Sequence, residues 1–274
     1  MSDAITLTLR APVARRLEVE SIAPNALAML DESAIARLPV WDGPQAIPLG
    51  DVFQVRGGRS DRVRVAGDLT MIDAIGAGMT AGDLEVDGSV GRYVGTRMAG
   101  GALRVSGDAG YGAGLEMTGG LLDIAGSAGD RLGAGRLAAP RGMTGGEIIV
   151  RRNAGAEIGA TMRRGTVVVA GNAGPRAGLG MIAGNVIVLG SAGEDAGRFN
   201  KRGTIAVFGR VSIPPTYRFA CTYRPPHIAV TVVHLRSHRG LAIADDTPTT
   251  RFHRYGGDLA ELGRGEILAR SDER

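Results

Sequence analysis

Two basic pairs offer the most pointed chemistry in this sequence. Arg163-Arg164 and Lys201-Arg202 stand two 19-residue repeats apart, at the same offsets within the repeat. Side chains at equivalent offsets of a stacked repeat share one edge, about 10 Å apart for two layers. Four cations on one edge suit a polyanionic ligand or an acidic partner, since guanidinium forks match carboxylates well. Arg97, Arg151, Arg152 and Arg198 would extend this field if they face the same way. The remaining candidates read as structure. Cys221 is the single cysteine, so it makes no internal disulfide, and a lone cysteine is usually a small buried residue. His227, His234, His238 and His253 all lie near the C-terminal end. His234 and His238 are four apart and would share a helix face. The β-branched run Ile228-Ala-Val-Thr-Val-Val predicts a strand there instead. No Cys/His metal spacing occurs. Asp83, Asp87, Asp108, Asp123, Asp130, Glu194 and Asp195 fall at varied offsets and form no column for acid–base work. Gly110-Tyr-Gly-Ala-Gly114 and Gly178-Leu-Gly180 mimic phosphate loops, but they recur in every repeat and no helix pattern follows them. No catalytic residue and no metal site is expected on this chain.

Outward from these side chains, a repeat positions the basic pairs, the acidic residues and the glycines. Segments beginning at Asp83, Ala102, Leu121, Glu147, Thr166, Asn185 and Thr204 follow one another at steps of 19, 19, 26, 19, 19 and 19. The long step holds a seven-residue insertion around Arg136 to Gly142. Early in each segment two apolar residues flank a third position: Leu84 and Val86, Leu103 and Val105, Leu122 and Ile124, Ile148 and Val150, Val167 and Val169, Val186 and Val188. This alternation has the period of a strand. Glycines follow at fixed offsets, as in Gly107, Gly110, Gly114 and Gly120. Met79, Met98, Met117, Met143, Met162 and Met181 each precede the next segment by four residues. An imperfect first copy carries Val63, Val65, Gly67, Gly76 and Gly82. A 19-residue unit cannot bury its apolar face alone, so the units must stack. The expected fold is all-β: a parallel β-helix, or β-solenoid, of about seven coils with a file of methionines inside.

Composition fits that architecture. Glycine makes up 44 of 274 residues and aromatics only 4%, so the core must be aliphatic. The net charge of +4 comes from interleaved Arg, Asp and Glu without long runs of one sign. It does not call for a nucleic-acid partner. No apolar stretch reaches transmembrane length, and Met1 to Arg16 holds no apolar segment of signal-peptide length. The chain is therefore expected to be cytoplasmic, without a membrane partner.

Both open ends of a stack need covering. Residues 1–61 read as an N-terminal cap with a strand at Ile5, Leu7 and Leu9 and one or two short helices between Asn25 and Leu38. Residues 62–210 form the repeat domain. Residues 211–274 read as a C-terminal extension, with a strand from Ile228 to Leu235 and a polar tail containing the amphipathic stretch Asp258 to Arg270.

The repeat in Val168-Val-Ala-Gly-Asn-Ala-Gly-Pro-Arg-Ala-Gly-Leu-Gly-Met-Ile-Ala-Gly-Asn-Val and in Leu103-Arg-Val-Ser-Gly-Asp-Ala-Gly-Tyr-Gly-Ala-Gly-Leu-Glu-Met-Thr-Gly-Gly resembles the C subunit family of formylmethanofuran dehydrogenases. It also resembles the GXGXG domain of glutamate synthases. The opening Ile5-Thr-Leu-Thr-Leu-Arg, the short helical stretch and Leu49-Gly-Asp-Val-Phe resemble the front of stand-alone C subunits. The Arg- and Ala-rich composition is most like the C subunit of the bacterial formyltransferase/hydrolase complex. That resemblance implies a scaffold in one-carbon metabolism, within a hetero-oligomer. The complex moves a formyl group from formyl-tetrahydromethanopterin to a methanofuran-type carrier and hydrolyses it to formate. Zinc, tetrahydromethanopterin and the carrier would be handled by the hydrolase, formyltransferase and other subunits. The carrier's polyglutamate tail would suit the edge of Arg163, Arg164, Lys201 and Arg202. The alternatives are a glutamate-synthase-type structural domain protein or, further off, a solenoid acyltransferase.

Overall fold

The computed structural model describes residues 4–244 and 247–271. The chain opens with β1 (Ile5–Leu9), β2 (Leu17–Glu18), the short helices α1 (Pro24–Leu27) and α2 (Glu32–Ala36), and the hairpin β3 (Pro39–Asp42) and β4 (Gln45–Pro48). Then come α3 (Leu49–Val52), β5 (Phe53–Arg56), β6 (Arg62–Ala66) and β7 (Ile72–Asp73). The repeats supply β8 (Asp83–Asp87), β9 (Ala102–Val105), β10 (Leu121–Ile124), β11 (Glu147–Val150), β12 (Thr166–Val169), β13 (Asn185–Val188) and β14 (Thr204–Val207). The chain ends with β15 (Arg218–Tyr223), helix α4 (Pro226–Arg239), β16 (Phe252–Gly257) and β17 (Gly265–Arg270).

Thirteen strands form one sheet, in the order β15-β16-β17-β14-β13-β12-β11-β10-β9-β8-β6-β1-β5. The stretch from β17 to β1 is parallel. Within it each repeat strand lies in register on its neighbour, as in Thr166↔Asn185 and Val167↔Val186. A second row of parallel bridges joins equivalent small residues, Ala109↔Ala128, Ala128↔Ala154, Ala154↔Ala173 and Ala173↔Ala192. The outer strands are antiparallel: β5 on β1 at one end, β16 on β17 and β15 on β16 at the other. The sheet is thus mixed, which corrects the expectation of a wholly parallel coil. Antiparallel flanking strands cover the exposed ladder that a bare parallel edge would leave. A separate four-stranded sheet, β4-β3-β2-β7, lies in the N-terminal part.

The six methionines of the repeat are all fully buried. Each packs on the glycine that closes the following unit. A Cβ on Gly120 would fall 2.7 Å from Met98 Cε, and one on Gly184 would fall 2.7 Å from Met162 Cε. Methionine and glycine therefore recur together because the thioether occupies the space a side chain would need. At the next place in this file stands Asn200, also fully buried, whose Nδ2 donates to Gly203 O (2.9 Å) and whose Oδ1 accepts from Gly203 N (2.8 Å). A Cβ on Gly265 would lie 2.5 Å from Asn200 Nδ2, so β17 closes onto Asn200 as each repeat closes onto its methionine.

Turn backbones are satisfied by a second file. Ser89 Oγ accepts from Asp108 N (3.0 Å), Asp108 Oδ1 from Ser127 N (2.7 Å), Asn153 Oδ1 from Asn172 N (2.8 Å), and Asn172 Oδ1 from Ser191 N (2.8 Å). Each short polar side chain thus serves the N–H of its equivalent in the next unit.

Three expectations for the C-terminal part need correction. Ile228 to Leu235 lies in helix α4, not in a strand. The run buries Ile228, Val232 and Leu235 at helical spacing, and this packing outweighs its β-branched composition. The second half of the expected polar tail is β17, a parallel strand paired with β14. Cys221 is exposed on β15 rather than buried. Among the described residues no helix is long and apolar enough to cross a membrane.

Candidate functional site

The basic groove is built from three successive turns that lead into β12, β13 and β14. Each turn ends in Gly followed by the first strand residue: Gly165-Thr166, Gly184-Asn185 and Gly203-Thr204. Arg163 and Arg164 precede the first of these, and Arg202 precedes the third. Between them the middle turn presents Ile182 and Ala183, which are short or apolar. The result is an open groove of about 430 Å³ into which Arg163, Arg164 and Arg202 all face, with Thr166 and Asn185 adding polar groups. Among the described residues no carboxylate lines it. The three arginines are exposed and none has a carboxylate partner among the described residues. Cations gathered without counter-charge set up a positive potential that an anion would relieve.

Lys201 does not join them. Its Nζ lies 3.8 Å from Glu261 Oε2 and it is absent from the groove lining. Of the four further cations, Arg152 is exposed, without a carboxylate partner among the described residues, and outside the groove lining, and the other three are engaged elsewhere. Arg97 pairs with Glu20 (2.9 Å), and Arg198 pairs with Asp195 (3.2 Å) while lying over the Phe199 ring. Arg151 makes a fork to Asp123, 3.0 and 2.8 Å, and donates to the carbonyls of Arg239 and Gly240 at the end of α4. The hydrogen bonds to Asp123 raise the Arg151 guanidinium above its ordinary value, against the opposing effect of burial.

The histidines are placed by α4 and β16. His234 and His238 stack at 5.2 Å on the helix, so their spacing does put them on one face. His234 Nε2 lies 3.4 Å from Glu147 Oε1, a carboxylate that also takes Arg239 at 2.6 Å. His253 Nδ1 is 2.8 Å from Thr222 Oγ1. Among the described residues no group of three or more His, Cys, Asp or Glu side chains is placed to hold a metal ion. The glycines that mimic phosphate loops are corners: Gly112 and Gly114 adopt φ +72° and +63°, and a Cβ on Gly110 would meet Gly91 O at 2.7 Å.

A second concavity is one that sequence reasoning misses. It measures about 470 Å³ and is bounded by Glu18 and Glu20 of the N-terminal part, Tyr93 and Tyr111 of the repeats, and Arg136 and Leu137 of the insertion. No single repeat offset supplies these residues, so periodicity gives no hint of it. The one signal available is the insertion itself, the sole departure from a 19-residue step among the segments from Asp83 to Thr204.

No profile of a known protein family matches the chain. A chain in the X-ray crystal structure of the formyltransferase/hydrolase complex (FhcABCD) from Methylorubrum extorquens in complex with methylofuran superposes with a TM-score of 0.89 and 34% identity, covering 97% of this chain and 99% of that one. Among curated relatives, the C subunit of molybdenum-containing formylmethanofuran dehydrogenase 1 from Methanosarcina barkeri is 36% identical over 99 residues, 34% of this chain and 33% of that protein. The C subunit of the Methylorubrum extorquens formyltransferase/hydrolase complex is 36% identical over 87 residues, 32% of this chain and 33% of that protein. The matched stretch spans about a third of the length of these curated relatives.

Proposed function

We propose, since this chain belongs to the family of C subunits of formylmethanofuran dehydrogenases and formyltransferase/hydrolase complexes, that it is a non-catalytic scaffold subunit of a formyltransferase/hydrolase complex. The observation that carries this reading is the end-to-end likeness to a chain of the Methylorubrum extorquens complex, across the flanking segments as well as the repeats. A match confined to the repeats would suit a glutamate-synthase-type domain equally well. Supporting it, ionisable side chains along the stack are engaged in holding the fold together: Asp123 with Arg151, Glu147 with Arg239, and Glu157 with both Arg131 and Arg176.

The parallel block is read as successive coils of a β-helix. Two rows of in-register parallel pairing, the buried methionine file and the turn file of Ser, Asp and Asn support that reading. Such a column is stiff and offers long faces for other subunits. In this role the hydrolase and formyltransferase partners carry the chemistry: formyl transfer from formyl-tetrahydromethanopterin to a methanofuran-type carrier, and hydrolysis to formate. The groove of Arg163, Arg164 and Arg202 is the seat proposed for the carrier's polyglutamate tail. Lys201 is left at its margin by its pairing with Glu261.

Affinity purification of the tagged chain from its native host tests the complex. A zinc amidohydrolase and a formyltransferase are expected to accompany it, and their absence would overturn the reading. For the groove, a polyglutamate peptide should bind the purified complex in a salt-dependent manner. Replacing Arg163, Arg164 and Arg202 together by Glu should abolish that binding, and unchanged affinity would sink the assignment.

A further inference from the structure

The acidic cleft beside the insertion differs in kind from the basic groove. Leu115, which lines the cleft, belongs to a small buried cluster with Ala134 and Ala160, and Tyr93 packs against that cluster. Tyr93 and Tyr111 meet edge to face at 5.7 Å, which leaves aromatic surface turned to the cleft. Leu137, carried on the seven-residue insertion, lines the cleft yet is 77% exposed. Together with the half-buried rings of Tyr93 and Tyr111 it gives the cleft an apolar wall that a partner side chain could cover.

Charge identifies what the cleft would take. Arg136, the cation among the described lining residues, pairs with Glu116 at 3.5 Å, and the lining carboxylate Glu20 pairs with Arg97 at 2.9 Å. Glu18 has no cationic partner among the described residues. Its cross-strand partner in the β2–β3 pair is Trp41, so the carboxylate and the indole leave the same face of those strands. Trp41 is 43% exposed and is the only tryptophan in the chain. An unpaired carboxylate lining a cleft with two half-buried phenol rings, and next to an exposed indole across the strand pair, is an arrangement that holds a guanidinium or ammonium group, by ion pairing and by attraction to the ring faces.

We propose that this cleft is the docking seat for an arginine or lysine side chain presented by a partner subunit. The cation would lie at Glu18 among the aromatic rings, and its aliphatic stem would lie against Leu137. This rests on the chain being a subunit of a larger complex. It assigns the interruption in the repeat a purpose, because the insertion supplies one wall of the seat and the N-terminal cap supplies the other. Buried aromatic and arginine anchors of this kind commonly dominate interface energetics.

The test uses the co-expressed complex. Glu18→Arg and Leu137→Asp are both surface changes, and unaltered thermal unfolding of the isolated chain would verify the fold. Each variant should weaken retention of one partner subunit by about tenfold or more. Forming the wild-type complex should also shift Trp41 emission, and Glu18→Arg should remove that shift. A photo-crosslinker at position 137 should join the chain to that same partner. A wild-type complex that forms normally and tolerates both substitutions with unchanged affinity overturns the docking seat alone. Failure of the wild-type chain to retain any partner overturns both the seat and the complex reading.

Discussion

Strands β6 and β8 to β10 point Arg64, Glu85, Arg104 and Asp123 away from the core, whereas β11 to β14 point Ile149, Val168, Ile187 and Ala206 outward from the same positions. The inward residues of both halves are the same kind of aliphatic side chain, fully or almost fully buried. One half therefore alternates and faces solvent, and the other is apolar on both faces, as strands covered on both sides must be. The cover is α4. Its Ile228, Val232 and Leu235 form a second core with the four outward residues of β11 to β14, joined by Phe208, Phe252 and Leu268. Arg151 marks the boundary, bonded to Asp123 of the open half and to the carbonyls that end α4. The lesson is that one repeat can build two surfaces by changing a single offset.

The sharpest way to break this comparison is to give the covered half the chemistry of the open half. Ile187→Asp places a carboxylate under α4 with no partner and should cost roughly 3–5 kcal/mol in urea unfolding. The same measurement on Glu85→Ile should show little change. Equal effects at the two positions would mean that α4 does not cover the sheet. Next in size, Val232→Ala removes buried methyl groups from the helix side of the second core. A loss of about 1–3 kcal/mol is expected, with α4 amides exchanging faster than the repeat strands in hydrogen-exchange experiments.

Arg151→Ala sharpens the boundary itself. It leaves Asp123 unpaired and two carbonyls at the helix end without their donor, so a loss of about 1–3 kcal/mol is expected. Arg151→Lys should recover only part of this, because an ammonium cannot reproduce the fork. Full rescue by lysine, read in the same unfolding experiment, would show that charge alone matters there.

The two halves are unequally legible in the sequence. The inner face is plain, because Leu103, Leu122 and Val167 recur at one offset and Met98, Met117 and Met162 at another, and stacking leaves such files one place to go. The outer face carries a quieter signal: the change from Arg104 and Asp123 to Ile149 and Val168 means that something covers the later strands. Composition misleads about the cover itself, because Val230, Val232 and Val233 favour strand. Its helical signals lie at its ends, in Pro225-Pro226 at the start and Gly240, with φ +62°, after Arg236, His238 and Arg239. Of the basic edge, Arg164 and Arg202 follow from their shared offset, and Arg163 from standing next to it. The turning of Lys201 toward Glu261 depends on a loop outside the repeat, which no period could reveal.

The smallest expected effect belongs to the open half, and its smallness is the point. Arg104 pairs with Asp83 at 3.1 Å, but the two side chains are 47% and 51% exposed. At that exposure solvent screens the pair and each long side chain gives up rotamer freedom to hold it, so the net stabilisation is about 0–1 kcal/mol. Arg104→Ala should therefore shift the unfolding midpoint barely beyond error, and raising the salt should erase the difference. A loss approaching that of Val232→Ala would mean that the charged face is covered too, by a second copy or another surface, and the contrast between the two halves would dissolve.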